Sequence, residues 1–518
     1  MLKIISAPKE AKTSDLYSVY VRQGGDWQEL SIYLALAPNG ISNWIKLSDE
    51  SFQEFDGLDH GTVMVKTYIS NFSFDGVVDI KIKYNGDVQN FNIKPRNSVN
   101  FRQNSNEIEF TLDKPCKLII EPDGDEFGSL HLFAEAPEIF DKTSYDNVIY
   151  FEKGFHTAEN NDNIIYNKHG VPVIQGITDN TLIFAEQGAV VCAVVEMVSV
   201  SHVKLAGHGI YSLLDRCFGA ESNFELPTLY GGFRENSLPS IYVHADCDDI
   251  ILQDATLICE FRGVCARNST NITVDNIKSF SAAVNGDGIN YINVVGSEIK
   301  NSYFQSSDDS IAIFTSVDSI LTLWDAPEHT KEARSADITI HDCLFWTNAR
   351  IFMIGGHATC NKELHDPVEN IKIYDCEVAT IASNINGETY EHRLYWSGIF
   401  RVLSQSEGLV RNIFFENITV NWTKGYNGKP FHVEVRGNGA SYSESSGYRI
   451  ENVSFKDIRF FDVPDDYLPT YIKSVEYQNT EYCVDGVTFE NITFDGDTLA
   501  AESLIIQGNT QNITVINP

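Results

Sequence analysis

Three acids in two short, similar stretches are the residues of this chain best placed to do chemistry. Asp287 lies in Val284-Asn285-Gly286-Asp287-Gly288, and Asp308 and Asp309 lie in Ser306-Ser307-Asp308-Asp309-Ser310-Ile311-Ala312-Ile313. Asp308 follows Asp287 by 21 residues. That interval is about one turn of a solenoid of parallel strands, where each coil sits roughly 4.8 Å above the last. Equivalent points of adjacent coils become neighbours, so this spacing gathers three carboxylates. Such a cluster is repulsive unless something uses it. Acid–base cleavage of a glycosidic bond is one use. A protonated carboxyl serves the leaving oxygen, and a carboxylate about 6.5–9.5 Å away activates water. Crowding keeps one member protonated while its neighbours stay charged. Adjacent residues of a regular strand face opposite ways. Asp308 and Asp309 therefore share a cleft only if the chain bends, which Ser306-Ser307 permits. A calcium site also suits clustered carboxylates, and Asp287 in Asn-Gly-Asp-Gly also reads as a turn residue.

The coils that would position these acids are visible as a loose repeat. Runs beginning at Asn271, Ser297, Asp337, Asn370, Asn412, Asn452 and Gly486 each read as a short strand, a small or polar corner, then another short strand. A polar corner residue can hydrogen-bond its counterpart one coil away. The uneven spacing of the runs means a fixed coil with variable loops. The expected fold is all-β, with a right-handed parallel β-helix over residues 145–518. Residues 1–140 read as an N-terminal β-sandwich domain, because runs such as Val63–Ile69, Val78–Tyr84 and Ile108–Leu112 are separated by Asn-Gly and Asp-Gly turns. The N-x-[ST] sites at Asn71, Asn268, Asn271, Asn417, Asn421, Asn452, Asn491 and Asn512 are mostly corner and turn residues on this reading.

The chain has 518 residues, with Lys+Arg 38 against Asp+Glu 72, a formal net charge of −34. That balance argues against nucleic acid or an anionic membrane as partner. No apolar run is long enough to span a membrane. Ten cysteines form no CxxC pair and have no His partner at zinc spacing. No signal peptide is expected from Met1-Leu-Lys-Ile-Ile-Ser-Ala-Pro. This favours a reduced, cytoplasmic compartment, with a secreted chain whose leader has been removed as the alternative. A homo-oligomer is compatible with the sequence. No P-loop, dinucleotide fingerprint or HExxH is present, so no cofactor and no metal are expected.

Asn285-Gly-Asp287-Gly, Asp308-Asp309-Ser-Ile-Ala-Ile and Met353-Ile-Gly355-Gly-His357 resemble the polygalacturonase clan of glycoside hydrolases. The family 28 polygalacturonases carry Asn-Thr-Asp-Gly, Gly-Asp-Asp, Gly-His-Gly and Arg-Ile-Lys coils. The family 49 dextranases and isopullulanases share the three acids, lack the last two motifs, and place a β-sandwich before the β-helix. Asn180–Val191 and Ala206-Gly-His208-Gly209-Ile210 look like early dextranase coils. The resemblance implies an inverting glycoside hydrolase, with Asp308 as general acid and Asp287 and Asp309 on the water. Alignment on Ile354-Gly355 puts Arg350, not His357, at the family's histidine. Alignment on Gly398 puts Phe400 and Val402 at the Arg and Lys positions, with Arg401 one place off. A one-place shift turns a side chain to the other face of a strand, so the cation pair that would hold a substrate carboxylate is expected to be missing. A neutral α-glucan, dextran-like, is the expected substrate.

Asn285, Arg350, His357, Arg393, Tyr395, Trp396 and Arg401 are the candidate substrate-binding residues, as hydrogen-bond donors or stacking faces for sugar. Trp346 is a further aromatic candidate. The alternatives are a hydrolase of a pectic or other acidic polysaccharide, a non-catalytic polysaccharide-binding β-helix, and a lyase.

Overall fold

A computed structural model shows a chain built almost wholly of strands. It describes all residues except 40–51, 55–62, 126–127, 169, 213–238, 260–261, 282–285, 317–332, 348, 357–364, 382–397, 423–427, 438–445, 476–480 and 518. Alternating β-formers make the first domain. In Tyr17–Arg22 every second residue is buried. This strand pairs antiparallel with Gln28–Leu30 and Val78–Tyr84, and the sheet continues through Glu107–Leu112 to Phe101–Asn104. A second sheet centres on Val63–Phe74, Leu130–Glu135 and Cys116–Pro122. Val19, Ile80, Ile82, Phe72, Ile108 and Leu132 fill the space between the sheets. The expected β-sandwich is what forms.

Among the described residues from Asn147–Phe151 to Thr510–Ile516, the chain winds into a 29-stranded sheet of stacked coils, nearly all parallel. This is the expected parallel β-helix. Each central coil contributes strands to three faces. Lys278–Ser281, Tyr303–Ser306 and Leu344–Thr347 stack on the first, here the docked face. The start of Ile289–Lys300, then Ile311–Phe314, Phe352–Ile354 and Phe400–Ser404 stack on the second, here the groove face. Ser335–His341 stacks between Ile289–Lys300 and Pro367–Ile381 on the third. Ile289, Ile311, Ile313, Phe352, Ile354, Phe400 and Val402 point inward at 0% exposure. Each such side chain contributes about 1.5–3 kcal/mol by leaving water.

The polar corners satisfy one another between coils. Asn452 donates to Asn412 at 2.8 Å, Asn412 to Asn370 at 2.9 Å, and Asn370 to Asp337 at 2.9 Å. All four have φ between 54° and 58°. Asn and Asp tolerate that left-handed geometry better than other side-chain-bearing residues. The repeat of Asn and Asp in the sequence is the cost of turning the corner, and the amide ladder offsets it.

The sandwich lies on the docked face. Leu130–Glu135 is buried along its whole length because both its faces are covered. Leu130, Leu132 and Ala134 enter the sandwich core. His131 lies 3.0 Å from the Tyr303 hydroxyl, Phe133 packs on Phe280 and Tyr303, and Glu135 meets the Lys278 Nζ at 2.7 Å. Trp346, expected as a sugar-stacking candidate, is buried in this same interface with Tyr33, Ile69 and Ile119, and does not face the groove.

Glu135 is a depressed carboxyl. Burial pushes it up, but Lys278, His208, Lys117 and the Asn276 amide outweigh burial and bring it down to about 2. Its contribution to stability is therefore present above its ordinary value of 4.5 and is lost as pH falls from 4.5 toward 2. Glu135→Gln leaves Lys278 buried without its counter-charge. The expected loss in urea unfolding is about 3–5 kcal/mol at pH 7, shrinking as the pH is lowered below 4.5.

Candidate active site

The acids lie on the corner between the docked face and the groove face. Strand register stacks Cys265, Asn290, Ala312, Met353, Arg401 and His432 on successive coils. The residues three places earlier form one corner column: Arg262, Asp287, Asp309, Arg350, Gly398 and Lys429. Backbone bonds hold it together. Gly263 N donates to Asp287 O, Gly288 N to Asp309 O, and Ser310 N to Arg350 O, each at 3.0 Å, and Ile399 N donates to Lys429 O at 2.9 Å. Asp309, not Asp308, is thus the one-coil neighbour of Asp287. Along the column the charges run positive, negative, negative, positive, a gap at Gly398, then positive.

Asp308 joins the cluster because the chain bends. Tyr303–Ser306 ends at Ser306, and Ser307, Asp308 and Ser310 are bends before Ile311–Phe314 begins. Ser306 Oγ donates to Asp308 O at 3.2 Å and lies 2.8 Å from Ser310 Oγ. Thr347 Oγ1 donates to the same Asp308 carbonyl at 2.9 Å. Gly286 N donates to Ser307 Oγ at 3.2 Å, tying the two acid coils together. Gly288 permits the close stacking, since a Cβ there would stand 2.5 Å from Ser310 O.

The Arg350 guanidinium spans both acids of the second coil, bonding Asp308 through Nη2 at 2.5 Å and Asp309 through Nε. Asn290 donates its amide to Asp287, and Asp309 N donates to the same carboxyl at 3.3 Å. Arg262 Nε stands 3.4 Å from Asp287 Oδ2. One oxygen from each acid lies within 4.8 Å of the others. The side chains of Asp287 and Asp309 are 9% and 7% exposed, and that of Asp308 is 23%. Burial pushes the Asp287 carboxyl well above the usual range, with Asp308 and Asp309 adding to the push and Arg262 and Arg350 opposing it. Burial likewise pushes Asp309 up to about 6, against the pull of Arg350. Arg350 stays charged, because the acids around it outweigh its own burial. The arrangement can store a proton at neutral pH beside an ionised, guanidinium-held carboxylate.

Against solved structures the chain is similar to Dex49A from Penicillium minioluteum, at 14% sequence identity over 98% of this chain and 96% of that one, with a TM-score of 0.55. The fold is that of the polygalacturonase and dextranase clan. Within that clan fold the two-domain layout is the one shared with Dex49A. A family 28 exopolygalacturonase from Yersinia enterocolitica is similar at 10% identity over 85% of this chain and 97% of that one, with a TM-score of 0.38. No family model matches the sequence, and a search of curated proteins gives no match.

Of the residues expected at the site, Asp287, Asp308, Asp309 and Arg350 come together in this corner. Asn285, His357, Arg393, Tyr395 and Trp396 lie outside the described residues. Arg401 requires a correction. Phe400 and Val402, aligned with the family's cations, point into the core. Arg401 therefore faces the acid side, on the ladder of Asn290 and Met353, and it is joined there by Lys429 and Arg436. Cations are not missing from this corner. They are buried, at 0–1% exposure. Arg262 and Asn290 were not singled out from the sequence, although Arg262-Gly263-Val264 repeats the pattern of Asp287-Gly288-Ile289 one coil earlier.

Because Asp287 is held above its ordinary pKa, ionising it costs folding stability, and the cost grows as pH rises. Asp287→Asn removes that cost. The variant is expected to melt above the wild-type protein at pH 8, with the difference closing as the pH is lowered toward 4, in paired calorimetric scans.

Proposed function

We propose that this protein is an inverting glycoside hydrolase that cleaves α-glycosidic bonds in a neutral, dextran-like α-glucan. The observation that carries the reading is the three-acid corner, in which one oxygen of each acid lies within 4.8 Å of the others and Arg350 bonds two of the three; burial pushes Asp287 and Asp309 toward the protonated form. Protons in such a cluster belong to the group rather than to one residue. Asp308 is its most exposed member and meets the glycosidic oxygen as the donor. Asp287 holds the water, and Asp309, once ionised, deprotonates it. Inversion is favoured by access. A nucleophilic carboxylate must reach the anomeric carbon of a bulky ring, whereas nearly buried Asp287 and Asp309 can be reached by a water molecule. The close approach of the oxygens would otherwise suit a retaining pair at about 5–5.5 Å, so the stereochemistry is read directly: ¹H NMR of the first product is expected to show the β-anomer from an α-linked glucan. An α-anomer would overturn the inverting assignment.

A neutral sugar is supported by two features. The buried cations beside the acids are engaged with other protein groups and are not displayed to the groove, and the net charge of −34 repels polyanions. Dex49A, a family 49 dextranase, shares the layout. Reducing-sugar release across dextran, pullulan, nigeran and polygalacturonate tests the substrate class. Cleavage of polygalacturonate alone would reject it.

Asp308→Asn is expected to lower kcat on the polysaccharide by about 10²–10⁴-fold. The loss should be much smaller on an aryl glycoside whose leaving group needs no proton. Equal losses on both would remove the donor role. The rate is also expected to rise with pH through about 6, as Asp309 loses its proton and becomes a base.

A further inference from the structure

Asn290 is an amide in an apolar part of the wall. On successive coils its column runs Cys265, Asn290, Ala312, Met353, all at 0–2% exposure. A buried amide among such neighbours is costly unless it is hydrogen-bonded. The bond it makes is to the acid corner, where Asn290 Nδ2 donates to Asp287 Oδ2. Local geometry provides the reach. Asp287 stands at the corner, Gly288 is a bend, Ile289 turns into the core, and Asn290 turns outward.

The two oxygens of Asp287 therefore face different ways. Oδ2 receives the Asn290 amide and has Arg262 Nε at 3.4 Å, from the coil before. The amide is the nearer of these two donors. Oδ1 accepts the Asp309 N–H at 3.3 Å, from the coil after. The charged groups that face Asp287 divide in the same way. Arg262 lies one coil before it, and Asp308, Asp309 and Arg350 lie on the coils after it.

We propose that Asn290 is a positioning residue that holds Oδ2 of Asp287 to the wall, so that Oδ1 is the oxygen offered to the water beside Asp309. The role rests on the reading of Asp287 as the residue that holds the water, whereas the bond itself does not. The amide serves in either charge state. As a carboxylate, Asp287 accepts a water proton at Oδ1. As an acid it carries its own proton on Oδ1, because Oδ2 already faces donors. Without the amide the carboxyl is free to rotate, and the two oxygens lose their distinct places.

The test uses the full-length protein with Asn290→Leu, which keeps the branched shape, suits the apolar column and donates nothing. On the polysaccharide, kcat is expected to fall about 10–100-fold. KM should be nearly unchanged, because a residue 1% exposed holds no sugar. A second readout separates a lost donor from lost packing. An amide donor favours the carboxylate, so its removal moves the Asp287 titration midpoint further up. Loss of packing admits water and moves it down, since burial is what raises it. Carboxyl ¹³C NMR of aspartate-labelled protein, with Asp287→Asn identifying the signal, is expected to show the upward shift. Circular dichroism confirms folding. If Asn290→Leu does not fold, Asn290→Cys carries both readouts in the same directions, since Cys265 already fills this place one coil earlier. In a folded variant, a midpoint that stays or falls overturns the proposal, and so does an unchanged kcat. Wild-type turnover by Asp287→Asn would instead reject the water-holding reading, with the midpoint shift in Asn290→Leu still present.

Discussion

Parallel stacking in strict register is the constraint on which this site depends. A β-helix gives each corner residue a neighbour one coil away, at roughly 4.8 Å, whatever its charge. The inward residues Ile289, Ile311, Phe352 and Phe400 fix that register, since sliding any strand by one place would turn its apolar side chains outward. Asp287 and Asp309 are therefore pressed together by the burial of hydrocarbon on the other side of the wall. The energy that holds like charges adjacent comes from the core. Arg262 and Arg350 at either end of the acid pair temper the repulsion without abolishing it. What remains is a carboxyl that holds its proton.

The sandwich makes the corner one-sided. Its strand Leu130–Glu135 is covered on both faces and closes the docked face, with His131 and Phe133 against Tyr303, the first residue of the strand that ends just before the acids. Access to Asp308 is then from the groove side. The Lys278–Glu135 pair anchors the interface one coil earlier. Such a buried pair gives little net stability over an apolar equivalent, yet it strongly penalises any arrangement that separates its partners. It therefore fixes the position of the sandwich more than it strengthens the attachment.

Local spacing made the acids, the coil and the sandwich legible before any coordinates. The acids sit in two stretches of similar sequence, the corners repeat Asn and Asp, and strands such as Val78–Tyr84 alternate cleanly. What was not legible are contacts between coils separated by loops of variable length. Arg262 acts on Asp287 through such a contact, whereas Asn290 bonds it locally, from three residues on. Arg401 was legible in principle. Phe400 and Val402 are the apolar members of their strand and belong inside, which leaves Arg401 facing the acids. Aligning on a family motif set that rule aside, and the apolar alternation is the stronger physical signal because it carries the burial energy.

The same correction separates two kinds of positive charge. The chain carries −34 overall, and from that number alone a cation-poor site follows. The corner instead gathers Arg262, Arg350, Arg401, Lys429 and Arg436, all largely withdrawn from water. Arg262 and Arg350 pull down the carboxyls that burial raises, where a low dielectric makes each charge more effective than it would be at the surface. The charge of the acids is thus governed by buried residues of the wall, and on the proposed function the choice of sugar falls to other residues.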